Sequence, residues 1–161
     1  MIKKIKKIDH IGILDAFNTI NNNIKWTGYD HKGSQSGLQY RLGEDMWCSA
    51  VGKSQIKETY FDLLNPIFKK TIFESIITEY NLYRTRFIWS NPFSCYSMHV
   101  DTTPRIHIPI ISNPNCYFLF KDSPPEYLEP GYVYWIDTTK FHTFVNCSEF
   151  KRLHLIGAVS N

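Results

Sequence analysis

The second half of this chain alternates short runs of β-branched and aromatic residues with turn residues. Seven such runs lie at residues 84–90, 96–101, 105–111, 117–121, 131–137, 142–146 and 152–159. Prolines separate them, for example Pro92, Pro104 and Pro130. Many short strands at regular spacing are typical of a β-sandwich or β-barrel. We therefore predict a jelly roll or barrel for this half.

The first 80 residues have a mixed pattern. Apolar residues at helix-like spacing predict a helix over residues 9–22, and residues 24–30 and 36–42 are typical of short strands. A second helix is expected to begin at Asn65, as its cap, and Pro66, with an apolar stripe that ends at Tyr80. The whole chain, residues 1–161, is expected to be one domain that is mainly β with flanking α. Residues 1–80 would form a mixed helical and strand buttress around a barrel core at 81–161.

Composition excludes several classes of protein. The chain has 18 basic and 15 acidic side chains, and its net charge of +3 is too small to indicate nucleic-acid binding. Lysines near the start resemble a signal peptide, but polar residues interrupt the segment that follows, and no run approaches the ~20 apolar residues of a membrane span. We expect a cytoplasmic protein that binds neither nucleic acid nor membrane. Its four cysteines form no CxxC pair, so we expect buried, reduced thiols rather than a zinc site.

The first chemical motif is His99-Val100-Asp101. Residues two apart on a strand point to the same face, so both side chains can meet one metal ion. Two histidines and one carboxylate on one face suit iron(II) and leave coordination positions open for substrates. In a chain with six histidines, however, chance alone can produce one such motif.

A second histidine and an arginine strengthen the hypothesis of a metal site. His142 begins a later predicted strand, 41 residues after Asp101, and a jelly roll can return the chain beside the earlier strand over that distance. Taken alone, His142 also fits the rim of a loop. Arg152 lies ten residues further on, and a buried arginine there would need an anion such as a dicarboxylate. The alternative for Arg152 is a surface position on an edge strand.

Basic and apolar residues alternate at the start of the run 105–111. Arg105 and His107 point to one face of the predicted strand, and the isoleucines at 106 and 108 point to the opposite face. Arg152 and His154 do the same. A barrel lumen that binds a metal and an anion explains the polar faces of all three strands together. Solvent-facing sides of antiparallel strands are the alternative explanation.

Six elements follow one another in residues 84–159: Arg84-Thr85-Arg86-Phe87, His99-Val100-Asp101, Arg105-Ile106-His107-Ile108-Pro109-Ile110, Gly131-Tyr132-Val133-Tyr134-Trp135-Ile136-Asp137, the run 142–146, and Arg152-Leu153-His154-Leu155. Their order and the spacing from His142 to Arg152 resemble the aspartyl/asparaginyl β-hydroxylase family of 2-oxoglutarate oxygenases, which includes free-proline hydroxylases. The resemblance covers about half of the chain. It implies a double-stranded β-helix, the jelly-roll or cupin-like barrel.

The resemblance also implies a set of roles. His99, Asp101 and His142 would bind Fe(II), with Asp101 completing the facial triad that some members of the family lack. Arg152 would bind the far carboxylate of 2-oxoglutarate, and Arg105 and His107 would line the cosubstrate. The implied reaction is O2-dependent hydroxylation of an unactivated C–H bond by a dioxygenase, with no catalytic residue beyond the metal ligands.

The expected substrate is an aspartyl or asparaginyl residue, or another amino acid or peptide. Residues 36–41 and 44–47 are candidates for a lid over it, and an ordinary surface loop is the alternative. Two other functions remain open at this point. One is a cupin-type metal enzyme that does not use 2-oxoglutarate, and the other is a non-enzymatic binding module on the same barrel.

Overall fold

The computed structural model describes residues 1–28, 32–52 and 55–160. The elements in this part of the chain are β1 (Ile2–Lys7), α1 (His10–Ile20), β2 (Gly33–Gly37), β3 (Gln39–Tyr40), β4 (Leu63–Leu64), α2 (Ile72–Glu79), β5 (Leu82–Ser90), β6 (Ser94–Cys95), β7 (Arg105–Ile111), β8 (Cys116–Phe120), β9 (Glu126–Tyr127), β10 (Tyr132–Ile136), β11 (His142–Asn146) and β12 (Arg152–Val159), with 3-10 turns at Asn21–Asn23, Glu58–Tyr60 and Pro66–Phe68. The mainly β prediction is confirmed, and β7, β11 and β12 have the predicted bounds.

Two antiparallel sheets form the barrel. The major sheet has the strand order β1-β10-β7-β12-β5-β2, and the minor sheet has the order β6-β11-β8-β9. Strands β3 and β4 pair with each other in a separate ribbon. Strand β12 lies between β7 and β5 in the major sheet and pairs with both of them.

One face of the major sheet packs against the two helices. Phe17 of α1 and Phe73 of α2 make edge-to-face contacts with Phe87 of β5, with ring centroids 5.2 and 5.1 Å apart. Leu153 and Leu155 of β12 join the same core. Burial of each such side chain stabilises the fold by about 1.5–3 kcal/mol. Because side chains alternate along a strand, the residues between these positions point toward the minor sheet.

The first 80 residues do more than buttress the barrel. β1 pairs with β10, and β2 pairs with β5, so this segment supplies both outer strands of the major sheet. β1 was not predicted, because its four lysines are exposed, stand in two adjacent pairs without a two-residue alternation, and resemble a charged tail. Lysines on an outer strand also discourage pairing with another chain. Residues 29 and 30, at the end of the predicted strand 24–30, lie outside the described residues.

The helix predicted from Asn65 is two separate elements. Asn65 caps only the 3-10 turn at Pro66–Phe68, and α2 begins at Ile72 with Thr71 as its cap. Between them Lys70 adopts a left-handed backbone with φ of 60°, which no α-helix contains. The chain therefore turns at this point, and Phe68 of the 3-10 turn and Phe73 of α2 each contact Phe87 of β5.

Residues 96–101 do not form the predicted strand. In this segment the regular pairing with β11 is confined to Ser94–Cys95, just before the predicted strand. Beyond it, His99 makes a single antiparallel bridge with His142. The cysteine expectation was wrong for three residues, because Cys48, Cys95 and Cys147 are exposed and only Cys116 is buried. The structure joins none of the four in a disulfide within its described residues.

The candidate lid at residues 36–41 and 44–47 does not line the opening of a cavity at the candidate site. Ser36 is buried within β2, and its hydroxyl donates to the carbonyl of Lys25. The Gln39 amide is buried and accepts hydrogen bonds from the backbone N–H and hydroxyl of Thr85. Trp47 belongs to the helix-side core. These buried contacts hold the segment against β5 rather than over an opening.

Candidate metal centre and cavity

The three predicted metal ligands meet at one end of the barrel. His99 and His142 exchange two backbone hydrogen bonds of 2.9 Å, and their rings are 4.4 Å apart. The backbone N–H of Asp101 donates to the carbonyl of Thr138 at 2.8 Å, which holds the carboxylate beside them. One ligand atom from each of the three residues lies within 4.8 Å of the other two. His142 is buried, Asp101 is partly buried and His99 is exposed, so the centre opens to solvent.

Both imidazole rings are oriented for metal binding. The Nδ1 atoms of His99 and His142 lie 2.8 and 2.9 Å from the carbonyl oxygens of Ser97 and Lys140. A carbonyl only accepts, so each Nδ1 carries the proton and each Nε2 keeps its lone pair. Burial lowers the pKa of His142, and the nearby His99 and Arg105 lower it further. The ring is therefore neutral near pH 7, which is the state that binds a metal ion.

The donor set fits a divalent transition metal. Ligand atoms about 2.0–2.2 Å from a metal, at right angles to each other, are roughly 3 Å apart. The Nε2 atom of His142 and the Oδ2 atom of Asp101 are 3.9 Å apart, so binding requires only a small inward movement of the side chains. Three protein ligands leave further coordination positions open. The ring of Phe118 stacks on His142 at 5.2 Å and limits its rotation.

A cavity of about 380 Å³ extends from this centre between the two sheets. Its volume lies within the range of small-molecule sites. Its polar lining, besides the three candidate ligands, includes the basic side chains Arg84, Arg86, Arg105, His107 and Arg152. The alternation predicted for β7 and β12 is thus confirmed, because Arg105, His107 and Arg152 all face the cavity.

Arg152 is buried, with 3% of its surface exposed. Its guanidinium lies 3.4 Å from the ring centre of Phe144 and donates to Nδ1 of His154 at 2.6 Å. Burial lowers the pKa of Arg152 to about 9, which leaves it charged at neutral pH. Among the described residues no carboxylate pairs with it. A buried charge without a partner is costly, so this position suits an anionic ligand.

His107 is a second buried side chain of the cavity with an unsatisfied polar atom. It is buried, and its Nδ1 atom has no hydrogen-bond partner within the described ranges. Burial lowers the pKa of His107 well below its ordinary value, and the charge of Arg152 lowers it further. The ring is therefore neutral and can exchange one hydrogen bond with a molecule in the cavity.

Arg105 lies in the cavity wall, but its guanidinium is already occupied. Two of its nitrogens donate to the carboxylate of Glu58 at 2.5 and 2.7 Å. Its Nε atom lies 3.1 Å from Oδ2 of Asp101. Glu58 is 5% exposed and was missed in the sequence, although a buried arginine needs an anionic partner and a buried acid is one possible partner. Arg84 contacts the same carboxylate at 3.2 Å.

The fold is shared with solved oxygenases. A 2OG-Fe(II) oxygenase family oxidoreductase from Burkholderia pseudomallei matches with a TM-score of 0.56 at 14% identity, over 90% of this chain and 76% of that chain. The viral collagen prolyl hydroxylase of Paramecium bursaria Chlorella virus-1, solved with 2OG, matches with a TM-score of 0.56 at 12% identity, over 99% and 96%. A Pseudomonas putida prolyl-4-hydroxylase matches with a TM-score of 0.51 at 12% identity, over 99% and 93%.

Sequence comparison adds no relative, because no protein-family model and no curated protein match the chain. No helix in the described part of the chain is long and apolar enough to cross a membrane. The structural matches have 12–14% sequence identity and do not show that this chain belongs to the aspartyl/asparaginyl subfamily. They confirm the predicted fold, and this chain is a double-stranded β-helix of the kind found in 2-oxoglutarate–Fe(II) oxygenases.

Proposed function

We propose that this protein is an Fe(II)- and 2-oxoglutarate-dependent dioxygenase that hydroxylates an unactivated C–H bond. One observation carries the proposal. The cavity that opens at His99, Asp101 and His142 also contains Arg152, a buried cation with no acidic partner among the described residues. A metal-binding triad and an unpaired arginine in one cavity match the two ends of a dicarboxylate that binds iron. The shared fold supports this proposal.

Each residue has a defined task in this proposal. His99, Asp101 and His142 hold Fe(II), and Arg152 pairs with the far carboxylate of 2-oxoglutarate through parallel hydrogen bonds. When bound, iron and 2-oxoglutarate supply O2 activation, with succinate and CO2 as coproducts of hydroxylation. The neutral His107 donates or accepts one hydrogen bond at the cosubstrate. Phe118 and Phe144 line the cavity and exclude water from it.

The resemblance implied that Arg105 also lines the cosubstrate, and here we assign it another task. Its guanidinium already contacts Glu58 and Asp101, so it has little capacity left for a carboxylate of the cosubstrate. We propose that it acts on Asp101 instead. Arg152 and His107 keep the roles that the resemblance implied.

Arg86 supports an acidic substrate. It lines the cavity, and its Nη1 atom donates to the side-chain oxygen of Gln35 at 3.0 Å. Its Nε atom is buried without a hydrogen-bond partner, and within the described residues no carboxylate contacts it. Burial lowers the pKa of Arg86 to about 9, so it is charged at neutral pH. With Arg152 pairing the cosubstrate, Arg86 remains for a substrate carboxylate. Amino acids and peptides with an aspartyl side chain, the substrates that the resemblance implies, provide one.

The experiment is anaerobic titration of the protein with Fe(II) and 2-oxoglutarate, followed by visible absorption. We expect a weak charge-transfer band that His99→Ala abolishes. Arg152→Met should shift half-saturation to at least about tenfold more 2-oxoglutarate, which corresponds to the loss of one charged hydrogen-bonded pair. A succinate-release screen with amino acids and peptides then identifies the substrate.

The outcomes separate the competing functions. Bound iron without the band would contradict the proposal and favour a cupin-type metal enzyme that does not use 2-oxoglutarate. Failure to bind iron, with no rise in melting temperature on its addition, would favour a non-enzymatic binding module.

A further inference from the structure

We propose that Glu58, through Arg105, positions the metal ligand Asp101, so that the turn between β3 and β4 controls how tightly the metal binds. This inference rests on the proposed metal site. Glu58 lies in a 3-10 turn at Glu58–Tyr60, between β3 and β4, and provides no atom to the triad. Its influence on the metal would be indirect.

The contacts form a continuous chain of charges. Glu58 accepts two hydrogen bonds from Arg105, and Nε of the same guanidinium contacts Oδ2 of Asp101 at 3.1 Å. That oxygen is also the one that lies 3.9 Å from Nε2 of His142. Arg105 therefore holds the oxygen of Asp101 that faces the second metal ligand.

Glu58 also fixes the backbone between Asp101 and β7. The hydroxyl groups of Thr102 and Thr103 both donate to Oε2 of Glu58. These residues directly follow Asp101 and form the short connection to Arg105. The buried carboxylate of Glu58 thus restrains two groups. One is the loop that follows the metal ligand Asp101, and the other is the guanidinium of Arg105, which orients Asp101.

This restraint matters because Asp101 has few others. Its side chain is 25% exposed, whereas Arg105 and Glu58 are 4% and 5% exposed. A partly exposed carboxylate without a fixed partner rotates freely, and ordering it on metal binding costs conformational entropy. Outer residues that orient a metal ligand change metal affinity about 10–100-fold when they are substituted. Preorganisation by Arg105 is therefore expected to raise affinity, even though Arg105 shares the oxygen with the metal.

The test uses Co(II), an oxygen-stable substitute for Fe(II), with calorimetry and the visible absorption of bound cobalt. We expect Glu58→Gln and Arg105→Gln to raise the Kd for Co(II) about 10–100-fold. The cobalt spectrum should change too, because Asp101 then binds in more than one orientation. Glu58→Asp keeps the charge and should recover part of the affinity.

Arg84→Gln is the matched control. It removes a different ion pair to the same carboxylate, at 3.2 Å, and Arg84 has no contact with Asp101 within the described residues. We expect it to leave the Kd for Co(II) within about threefold of wild type, although it also removes a buried charge. If Glu58→Gln does not fold, the comparison of Arg105→Gln with Arg84→Gln decides.

Two results would overturn the inference. One is an unchanged or lower Kd for Co(II) in Arg105→Gln, which would show that Arg105 competes with the metal for Asp101. The other is an equal loss of affinity in Arg84→Gln, which would indicate general destabilisation. Both presuppose that the wild-type protein binds Co(II) at the triad. Loss of Co(II) binding in His99→Ala would establish this separately. If His99→Ala still bound Co(II) as tightly as the wild type, that result would count against the proposed function itself.

Discussion

In the proposed function, Arg152 is a single residue at which stability and ligand binding oppose each other. Its charge is buried beside Phe144 and His154, and the described residues offer it no carboxylate. Replacing a buried charged group by an apolar side chain of similar volume is often neutral or stabilising by about 1–4 kcal/mol. Natural proteins keep such groups where a ligand requires them.

We predict that Arg152→Met stabilises the ligand-free protein by about 1–3 kcal/mol, because methionine keeps the contact with Phe144 and removes the buried charge. The same variant should lose the rise in melting temperature that Mn(II) and 2-oxoglutarate together produce in the wild type. Urea unfolding and thermal unfolding measure the two effects. A less stable ligand-free variant would show that Arg152 has a structural role.

Also at the residue scale, the cluster of three candidate metal ligands was predictable from the sequence and the position of Glu58 was not. His99 and Asp101 are two positions apart, and the single backbone bridge between His99 and His142 suffices to bring His142 beside them. Glu58 meets Arg84 and Arg105 across 26 and 47 residues, from a turn without periodicity. Only the folded chain shows which acid neutralises which arginine.

Among the elements, the strands were easier to predict than the second helix. Arg152–Val159 alternates between the helix-side core and the cavity, and this two-residue period is visible in the sequence. The helix prediction followed the apolar stripe through Lys69 and Lys70 and overlooked a second start signal. Thr71 and Glu74 have the spacing of a capping box, and Thr71 accepts from the N–H of Phe73 while Glu74 accepts from the N–H of Lys70.

The turn before α2 provides a test of this explanation. Lys70 has φ of 60°, whereas its neighbour Lys69 has φ of −60°. Glycine adopts positive φ without strain, so Lys70→Gly should stabilise the protein by about 0.5–1 kcal/mol. Lys69→Gly should destabilise it by a similar amount, because there glycine only adds freedom to the unfolded chain. Urea unfolding of both variants compares them, and equal effects of the same sign would contradict this account of the turn.

For the whole molecule, Glu58 joins the N-terminal segment to the barrel. Burial raises the pKa of its carboxyl, but the hydrogen bonds and charges of Arg105, Thr103 and Arg84 outweigh burial and lower the pKa to about 2. A carboxyl whose pKa is lower in the folded than in the unfolded protein stabilises the fold above the unfolded pKa of 4.5. That stability is lost as the pH falls toward 2.

Removal of Glu58 leaves Arg84 and Arg105 buried without their shared partner. Loss of one member of a buried ion pair typically costs about 3–5 kcal/mol. We therefore predict that Glu58→Gln lowers the free energy of unfolding by about that amount at pH 7. A matched control is Glu79→Gln, which breaks an exposed ion pair with Lys6 and should cost less than about 1 kcal/mol.

The pH dependence of this difference tests whether the carboxylate acts through its charge. Between pH 5 and pH 2 the free energy of unfolding of the wild type should fall by about 3 kcal/mol through protonation of Glu58, because each unit of pKa shift corresponds to about 1.4 kcal/mol. Glu58→Gln has no carboxyl at this position and should not show this fall. The stability difference between the two proteins should therefore narrow as the pH falls, in urea unfolding curves measured at pH 7, 4 and 2.5. A difference that stays constant with pH would mean that Glu58 stabilises the barrel by packing and neutral hydrogen bonds, and that its ion pairs with Arg84 and Arg105 contribute nothing net.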